Sequence, residues 1–393
     1  VSMSDRTSRL ARLAADLTPA IIDLRRDLHR NPEVGWTEYR TTRRVAEVLA
    51  DQGLSPQVRP DGTGLTVEIG SGDPIVGFRA DMDALPIQEE ADPEYRSERD
   101  GVMHACGHDV HTAVGVGVAS ALAGLGDIPG TVRVIFQPAE EQIPGGAITL
   151  CEEGVHEGLA ALIAFHVDPS LAPGQIGIRR GGITGASDRV IIRLHGPGGH
   201  TSRPHQTVDL IYVAGRVIAN LPLLIRHGID PRETVLVVFG RIEGGSAENV
   251  IPTTVELGGT VRLFDLDLWR TMPKLLEGVV TDLIRPLGAT AEIEYHRGSP
   301  PVVNHDVVTG VVAQAAVAAL GGDGVKPTHQ SLGSEDFAWY LEQVPGALLR
   351  LGSGLPDRRV DLHSATFDVD ERAIETGILV GAEAMLQLLE QAR

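Results

Sequence analysis

The chain has 393 residues, 42% of them hydrophobic and 22% charged, and its 34 basic against 53 acidic side chains leave a net charge of −19. These proportions exclude a disordered, collagen-like or membrane-spanning composition. The charge excludes the basic footprint of a nucleic-acid binder and the pull of a polybasic surface toward anionic lipid. Roughly 150 residues per domain allow two or three domains, large enough to fold without metal or disulfide staples.

The first helix is expected to open at Thr18-Pro19, a cap followed by a first-turn proline. Ile21, Ile22, Leu24 and Leu28 then recur at helical spacing, and Asn31-Pro32 ends the run. A second helix is expected over 37–50, before Gly53. Apolar runs then alternate with helical stretches. Strands are expected over 65–69, 75–78, 132–136 and 159–165, a small-sided helix over 111–125 and a short one over 147–153. This alternation predicts an α/β layer on a largely parallel sheet.

Near Gly181 the texture changes. DRVIIRLH (188–195) alternates like a strand with one wet face. A helix over 208–225, strands over 234–243 and 253–264, a helix over 268–287 and a strand over 290–295 follow. The order β-α-β-β-α-β is that of a split, ferredoxin-like α+β unit. From about 298 the α/β texture returns, with a helix over 306–320, a strand over 347–351 and a closing helix over 370–391. The expected organisation is an α/β domain over 1–182 and 296–393, interrupted by an inserted domain over 183–295.

The chain contains no GxxxxGK, GxSxG, HExxH or CxxC, so P-loop, nucleophile-elbow and thioredoxin-like chemistries lack their motifs. Two cysteines, Cys106 and Cys151, do not make a disulfide framework. The first residues, VSMSDR, lack an apolar signal core, which makes the cytoplasm the expected compartment.

Polar residues gather where predicted strands end: Asp81 and Asp83 after Phe78, Glu140-Glu141 after Phe136, and His166 after Phe165. In α/β sheets the ligand crevice lies beyond the carboxyl ends of the strands. HACGHDVH (104–111) is the densest cluster of donors. Cys106 and His108, two apart across a glycine, suit Zn²⁺, Mn²⁺, Co²⁺ or Ni²⁺ better than Mg²⁺ or Ca²⁺; they are also compatible with a buried structural cysteine beside capping histidines. Glu140-Glu141 reads either as a solvated acidic loop or as a metal ligand beside a general base. Asp81 and Asp83 share one face of an extended segment and suit the outer shell that orients a ligand. His363 alone reads as readily as an ordinary loop residue. His200, after the turn GPGG, and Asn249 and Arg262, beside predicted strands, fit either carboxylate contacts or ordinary surface positions.

Taken in order, DLHRNPEVGWTEYRTT (27–42), GFRADMDALPIQE (77–89), MHACGHDVHTA (103–113), FQPAEEQIPGGA (136–147), HVDP (166–169), GPGGHTSRPH (196–205), AENVIP (247–252), GSEDFAWY (333–340) and LHSATFDVDE (362–371) resemble the binuclear metal amidohydrolases. That family includes hippurate hydrolases, N-acyl-amino-acid deacylases and indole-acetyl-amino-acid hydrolases, with aminoacylase and carboxypeptidase G as more distant relatives. The resemblance implies a zinc-peptidase-like catalytic domain with a ferredoxin-like lid and dimerisation domain inserted in it. It implies two divalent ions (Zn, Mn, Co or Ni) held by Cys106, His108, Glu141, His166 and His363, with Glu140 as general base. His200 then contacts the substrate or oxyanion, within its own subunit or across a dimer, and Asn249 and Arg262 contact substrate. HVDP and HSAT depart from the more usual sequences after the ligand histidines; neither removes a ligand, and both reshape the pocket wall.

The resemblance therefore implies hydrolysis of an N-acyl amino acid with a free carboxylate, by a homodimer that binds neither nucleic acid nor membrane. The alternatives are a short-peptide carboxypeptidase or dipeptidase on the same site, a cysteine-nucleophile hydrolase using Cys106, and a non-catalytic metal- or ligand-binding protein.

Overall fold

The computed structural model describes residues 3–143 and 145–393. Residues 1 and 2 of the expected first domain, and residue 144 in the FQPAEEQIPGGA segment, lie outside the described residues. The chain opens with α1 (Met3–Arg30), α2 (Tyr39–Asp51), β1 (Gln57–Val58), β2 (Leu65–Gly70), β3 (Ile75–Asp81), α3 (His108–Leu125), β4 (Thr131–Gln137), α4 (Gly146–Glu152), β5 (Leu159–Asp168), β6 (Ile176–Ile178) and β7 (Gly181–Thr184). It continues through β8 (Asp188–His195), β9 (Gly199–His200), α5 (Leu210–His227), β10 (Val235–Gly244), β11 (Val250–Ile251), β12 (Thr254–Leu263), α6 (Leu266–Ile284) and β13 (Thr290–His296). It closes with β14 (Val302–Asn304), α7 (Asp306–Leu320), β15 (Val325–Pro327), α8 (Ala338–Leu341), β16 (Gly346–Gly352) and α9 (Arg372–Gln391). Two compact units result. The first runs up to Gly181 and resumes over Asn304–His329 and Asp336–Arg393; the second comprises Gly182–Val303 and Gln330–Glu335.

The first unit is built on an eight-stranded sheet of order β1-β2-β4-β3-β5-β16-β6-β15. Only part of it is parallel: β4, β3, β5 and β16 run together, whereas β2 opposes β4 and β6 opposes β16. The reason lies in the strands themselves. Those at the centre, such as FRAD at the end of β3 and GALLRLG of β16, are buried on both faces, while β2 alternates and exposes Glu68. Helix α3 lies against β3 and α9, and its glycines set the spacing. A Cβ on Gly117 would stand 2.4 Å from Ile378 of α9.

Helix α1 differs most from expectation. It begins fifteen residues before Thr18-Pro19 and carries Pro19 in its interior. Leu10, Ala14, Ile21, Leu24 and Leu28 form one buried stripe that packs on α3 and α9. Burying that stripe outweighs the hydrogen bond that proline cannot donate.

The second unit has a four-stranded antiparallel sheet of order β10-β12-β8-β13. Helix α6 presents Trp269, Met272, Leu276, Val280 and Ile284 at helical spacing to its core. Asp209 and Asp265 cap α5 and α6, accepting from the Tyr212 and Leu268 amides. Buried Asp188 accepts from Trp269 Nε1 (3.1 Å), the Tyr295 hydroxyl (2.7 Å) and the Gly298 amide (2.9 Å). The unit extends beyond position 295 and recruits the distant segment Gln330–Glu335 by main-chain bonds, Ser331 N–H to Ile183 O (2.9 Å) and Gly185 N–H to Ser331 O (2.9 Å). Among the described residues, α5 is the one helix long and apolar enough to cross a membrane by length and composition. Its Leu210, Val213, Ala214, Val217, Leu221 and Ile225 are buried in this unit.

The strain on α1 is testable. Exposed Pro19 replaced by alanine restores a helical donor without changing the buried stripe. Pro19→Ala should stabilise the fold by about 1–2 kcal/mol, less than the full helix-propensity difference because proline also restricts the unfolded chain. Urea unfolding checks this; an unchanged or lower midpoint would contradict the account of α1.

Candidate metal centre

Three parallel strands deliver the chemistry to one edge. β3 ends at Asp81, β4 at Gln137 and β5 at Asp168, so Asp83, Glu140-Glu141 and His166 stand at the carboxyl side of the sheet. Helix α3 begins at His108 itself, behind left-handed Gly107 (φ 84°), where a Cβ would stand 2.4 Å from Val167. His363 also has a left-handed backbone (φ 60°), and its amide donates to Ala105 O at 2.8 Å. That bond ties the loop of His363 to the loop of Cys106.

The donor atoms converge. His166 Nε2 lies 3.4 Å from Cys106 Sγ, and His363 Nε2 lies 3.3 Å from the same sulfur. His363 Nε2 is 3.3 Å from Glu141 Oε1, and His108 Nε2 is 3.9 Å from both Glu141 Oε1 and Glu140 Oε2. The other nitrogens of two rings are held from behind: His108 Nδ1 by Asp83 Oδ1 at 3.2 Å, and His166 Nδ1 by the Val167 carbonyl at 2.8 Å. Such contacts select the tautomer that presents Nε2 to a cation.

These residues fit a metal. His108 Nε2 and Glu141 Oε1 are buried and have no hydrogen-bond partner, an arrangement that costs free energy until something satisfies both. Burial pushes the Cys106 thiol up to about 12, so the sulfur keeps its proton unless a cation displaces it. Burial pulls His108 down, but the charge of Asp81 and the hydrogen bond to Asp83 outweigh it and leave the ring well above the usual histidine range. Sulfur, imidazole and carboxylate together form a donor set for a borderline-soft divalent ion. Cys106/His108/His166, Cys106/Glu141/His363 and His108/Glu140/Glu141 each bring their atoms within 4.8 Å of one another.

The sequence profile of the peptidase family M20/M25/M40 matches residues 77–387. The chain belongs to this family. It is 36% identical to an N-acetylcysteine deacetylase of Bacillus subtilis, covering 94% of this chain and 97% of the relative. It is 40% identical to an N-acyl-L-amino acid amidohydrolase of Geobacillus stearothermophilus, over 76% of this chain and 81% of that one. It also matches a Rhodococcus jostii protein named as a putative glutamate–cysteine ligase at 40% identity, but spans only 45% of that protein's length. Among solved structures, a dinuclear metal-binding peptidase of the M20 family from Bacillus subtilis superposes with a TM-score of 0.85 at 34% identity, covering 96% of this chain and 99% of that one.

Other residues of this M20-family chain surround the donors: His111, Arg79 and Glu38, to which no role was assigned from sequence, and Asp81 and Asp83, expected in the outer shell. His111, one turn after His108 on α3, binds Asp81 Oδ1 through Nδ1 (2.6 Å) and accepts the Val167 amide on Nε2 (2.9 Å). Its place in the donor-rich run HACGHDVH, three residues after His108, was the signal that could have found it. Fully buried Arg79 reaches Asp81 (2.5 Å), Gln137 (2.8 Å) and Asp336 (2.7 Å). Asp81 sits well below the usual carboxylate range: burial alone would raise it, but Arg79, His108 and His111 outweigh that. Asp83 accepts the amides of Glu140 (3.0 Å) and Glu141 (2.9 Å) besides holding His108. Glu38, from the start of α2, accepts the Ala139 amide at 2.8 Å.

In the second unit, His200 on β9 pairs with Val250 on β11, and the Thr201 amide donates to Asn249 O at 3.2 Å. These two candidate residues therefore flank one small ribbon. Arg262 lies apart from them on β12, its guanidinium on the Leu332 carbonyl.

Burial, with the Asp83 carboxylate nearby, raises Glu38 from 4.5 to about 8. Between these values the folded chain holds a proton that the unfolded chain has released. The stabilisation from this group is therefore complete below about 4.5 and is lost as the pH rises through 8. Glu38→Gln abolishes that slope. The stability of the wild type minus that of the variant should fall by a few kcal/mol (on the order of 1.4 per pH unit) as the pH rises across this window. Urea unfolding at several pH values reads the difference, and a constant offset would contradict a neutral buried carboxyl.

Proposed function

We propose that the chain hydrolyses the amide bond of N-acyl amino acids that carry a free carboxylate, using two divalent ions held by Cys106, His108, Glu141, His166 and His363. The observation that carries this reading is the buried convergence of His108 Nε2 and Glu141 Oε1, neither of them hydrogen-bonded, with sulfur and imidazole donors, and with the second carboxylate of Glu140 beside them. Family membership supports it, as do the names of the deacetylase and amidohydrolase relatives and of the dinuclear peptidase neighbour. Zn²⁺, Mn²⁺, Co²⁺ and Ni²⁺ all suit the donors.

Divalent cations bound there supply Lewis acidity, lowering the pKa of a water toward ~7 and polarising the scissile carbonyl. The chain's own residues do the rest. Glu140 takes a proton from the attacking water and returns it to the departing amine nitrogen. The Asp336 amide lies 3.4 Å from Glu140 Oε1, and Glu140 Oε2 faces His108. Asp83 holds the main chain of both glutamates, while His111 joins α3 to Asp81 at the end of β3 and to the Val167 amide of β5. Contact of His200 with the oxyanion, from its own or a partner subunit, and contacts of Asn249 and Arg262 with the substrate carboxylate, belong to the same proposal. A dipeptidase or carboxypeptidase activity on the same centre is the second reading, favoured by the peptidase neighbour.

The test is a panel of N-acetyl, N-benzoyl and indole-acetyl amino acids and short dipeptides, led by N-acetylcysteine. The full chain is assayed after chelation and after return of Zn²⁺, Mn²⁺ or Co²⁺. Activity should vanish with the metal and return with it. Glu140→Gln should lower kcat by ~10²-fold or more with metal content unchanged. Turnover that survives chelation and dies on thiol alkylation would point to Cys106 as a nucleophile instead.

A homodimer through the second unit is part of the proposal. β10 lies at the edge of its sheet with Leu236, Val238 and Ile242 exposed, and α5 exposes Ile211, Tyr212, Leu223 and Leu224. An open strand edge carrying apolar side chains seeks a partner. Light scattering should give about twice the 41.8 kDa chain mass. The double change Val238→Lys, Leu223→Glu should return the monomer; a wild-type monomer would end this part of the proposal. The free thiols Cys106 and Cys151 suit the cytoplasm, the compartment we propose.

A further inference from the structure

Glu140 and Glu141 face the donors because the chain turns sharply after β4. The turn depends on Ala139, which has a left-handed backbone (φ 56°) although it is not glycine. That conformation costs on the order of 1 kcal/mol for an L-residue and persists only where neighbours enforce it. Three consecutive amides, those of residues 139, 140 and 141, each meet a side-chain carboxyl oxygen. Asp83 takes the last two, and Glu38 takes the strained one at 2.8 Å.

Glu38 stands at the N-cap position of α2 yet makes no side-chain bond to that helix. The first-turn amides are served by Glu33 instead, which accepts from Arg40 N–H (3.1 Å) and Thr41 N–H (2.8 Å). Glu38 is thereby released for another task. Its carboxyl is fully buried, with Oε1 on the Ala139 amide and Oε2 without a hydrogen-bond partner. For packing alone, an apolar side chain would serve better than a half-satisfied buried carboxyl.

The surrounding backbone closes on the same turn. A Cβ on Gly35 would stand 3.1 Å from Ala139 Cα, and one on Gly146 would stand 1.9 Å from Pro138 O. The Ala139 carbonyl accepts the Gly146 amide at 2.9 Å. The segment from Gly35 to Glu38 therefore grips the turn from one side and Gly146 from the other.

We propose that Glu38 is a positioning residue: by accepting the Ala139 amide it holds the left-handed turn that aims Glu140 and Glu141 at the metal centre. This deepens the proposed function and rests on it for its catalytic consequence. Glu38 touches neither the donor atoms nor the substrate position; it acts through Ala139.

The experiment compares Glu38→Ala, Glu38→Gln, Ala139→Gly and the double variant Glu38→Ala/Ala139→Gly in the metal-loaded full chain. Three readouts are taken: kcat and KM on N-acetylcysteine, Co²⁺ affinity of the chelated protein by optical titration, and the urea midpoint. Glu38→Ala should lower kcat by about tenfold or more with KM little changed, since small misplacements of a catalytic group are costly. It should also weaken Co²⁺ binding about fivefold or more, because Glu141 rides on the same turn. Glu38→Gln keeps an acceptor oxygen and should stay within about threefold of wild type. The glycine of the double variant adopts the left-handed turn without strain and should recover most of the loss.

A Glu38→Ala variant that loses stability but keeps wild-type kcat and Co²⁺ affinity would overturn the proposal. So would a Gln variant as impaired as the Ala variant, or a double variant that recovers nothing. Should Glu38→Ala fail to fold, the Gln and double variants decide by the same criteria. Absence of turnover in the wild type would count against the amidohydrolase reading, and the Co²⁺ affinities would still decide the role of Glu38.

Discussion

One buried carboxylate organises the site. Asp83 binds the ring nitrogen of His108 and the amides of Glu140 and Glu141, so three groups from two distant parts of the chain are fixed to a single pair of oxygens. Without it, the helix that presents His108 and the turn that presents the two glutamates would have no common reference. Geometry of this kind decides whether side chains merely lie near one another or point their free atoms at one place. Metal and catalytic sites are sensitive to this at the scale of a fraction of an ångström.

Around that centre the fold buries several charges, and two fully buried arginines pair some of them. Arg79 joins β3 to the Asp336 segment. Arg25 of α1, with no exposed surface, contacts Asp109 at 2.7 Å and Glu371 at 3.3 Å. It thereby links the helix after His108 to the segment after His363. Burial alone would raise Asp109, but Arg25 and His29 outweigh it and hold the carboxyl far below its usual range. Burying ions costs desolvation, and their mutual attraction offsets that cost only in good geometry. The return here is positional: loops that would wander are tied to the rigid sheet and to helix α1.

The two units divide the work differently. In the first, strands buried on both faces form a scaffold whose loops carry polar groups. In the second, an antiparallel sheet covered by α5 and α6 leaves an edge strand and much of α5 apolar and exposed. The first unit thus gathers polar groups at one edge of a buried sheet, while the second keeps a core of its own.

Much of this was legible beforehand. Strand and helix order, the change of texture near Gly181 and the β-α-β-β-α-β sequence follow from hydrophobic period and turn residues, which are local properties. The donors named from motifs could be chosen by residue type and by their position at strand ends. Other features were not legible. Thr18-Pro19 carries every local mark of a helix start, yet burial of a stripe beginning at Leu10 overrides it. Gln330–Glu335 belongs to the second unit only through main-chain bonds to residues far away in sequence. Glu38, Arg79 and His111 lie within recognisable motifs, but their roles were not legible because each acts through a partner tens or hundreds of positions distant. Sequence by itself determined which chemical groups this protein owns and which elements carry them, since those depend on neighbours along the chain. Tertiary structure alone decided which groups share a carboxylate, a strained turn or an arginine, since those depend on distances that folding creates.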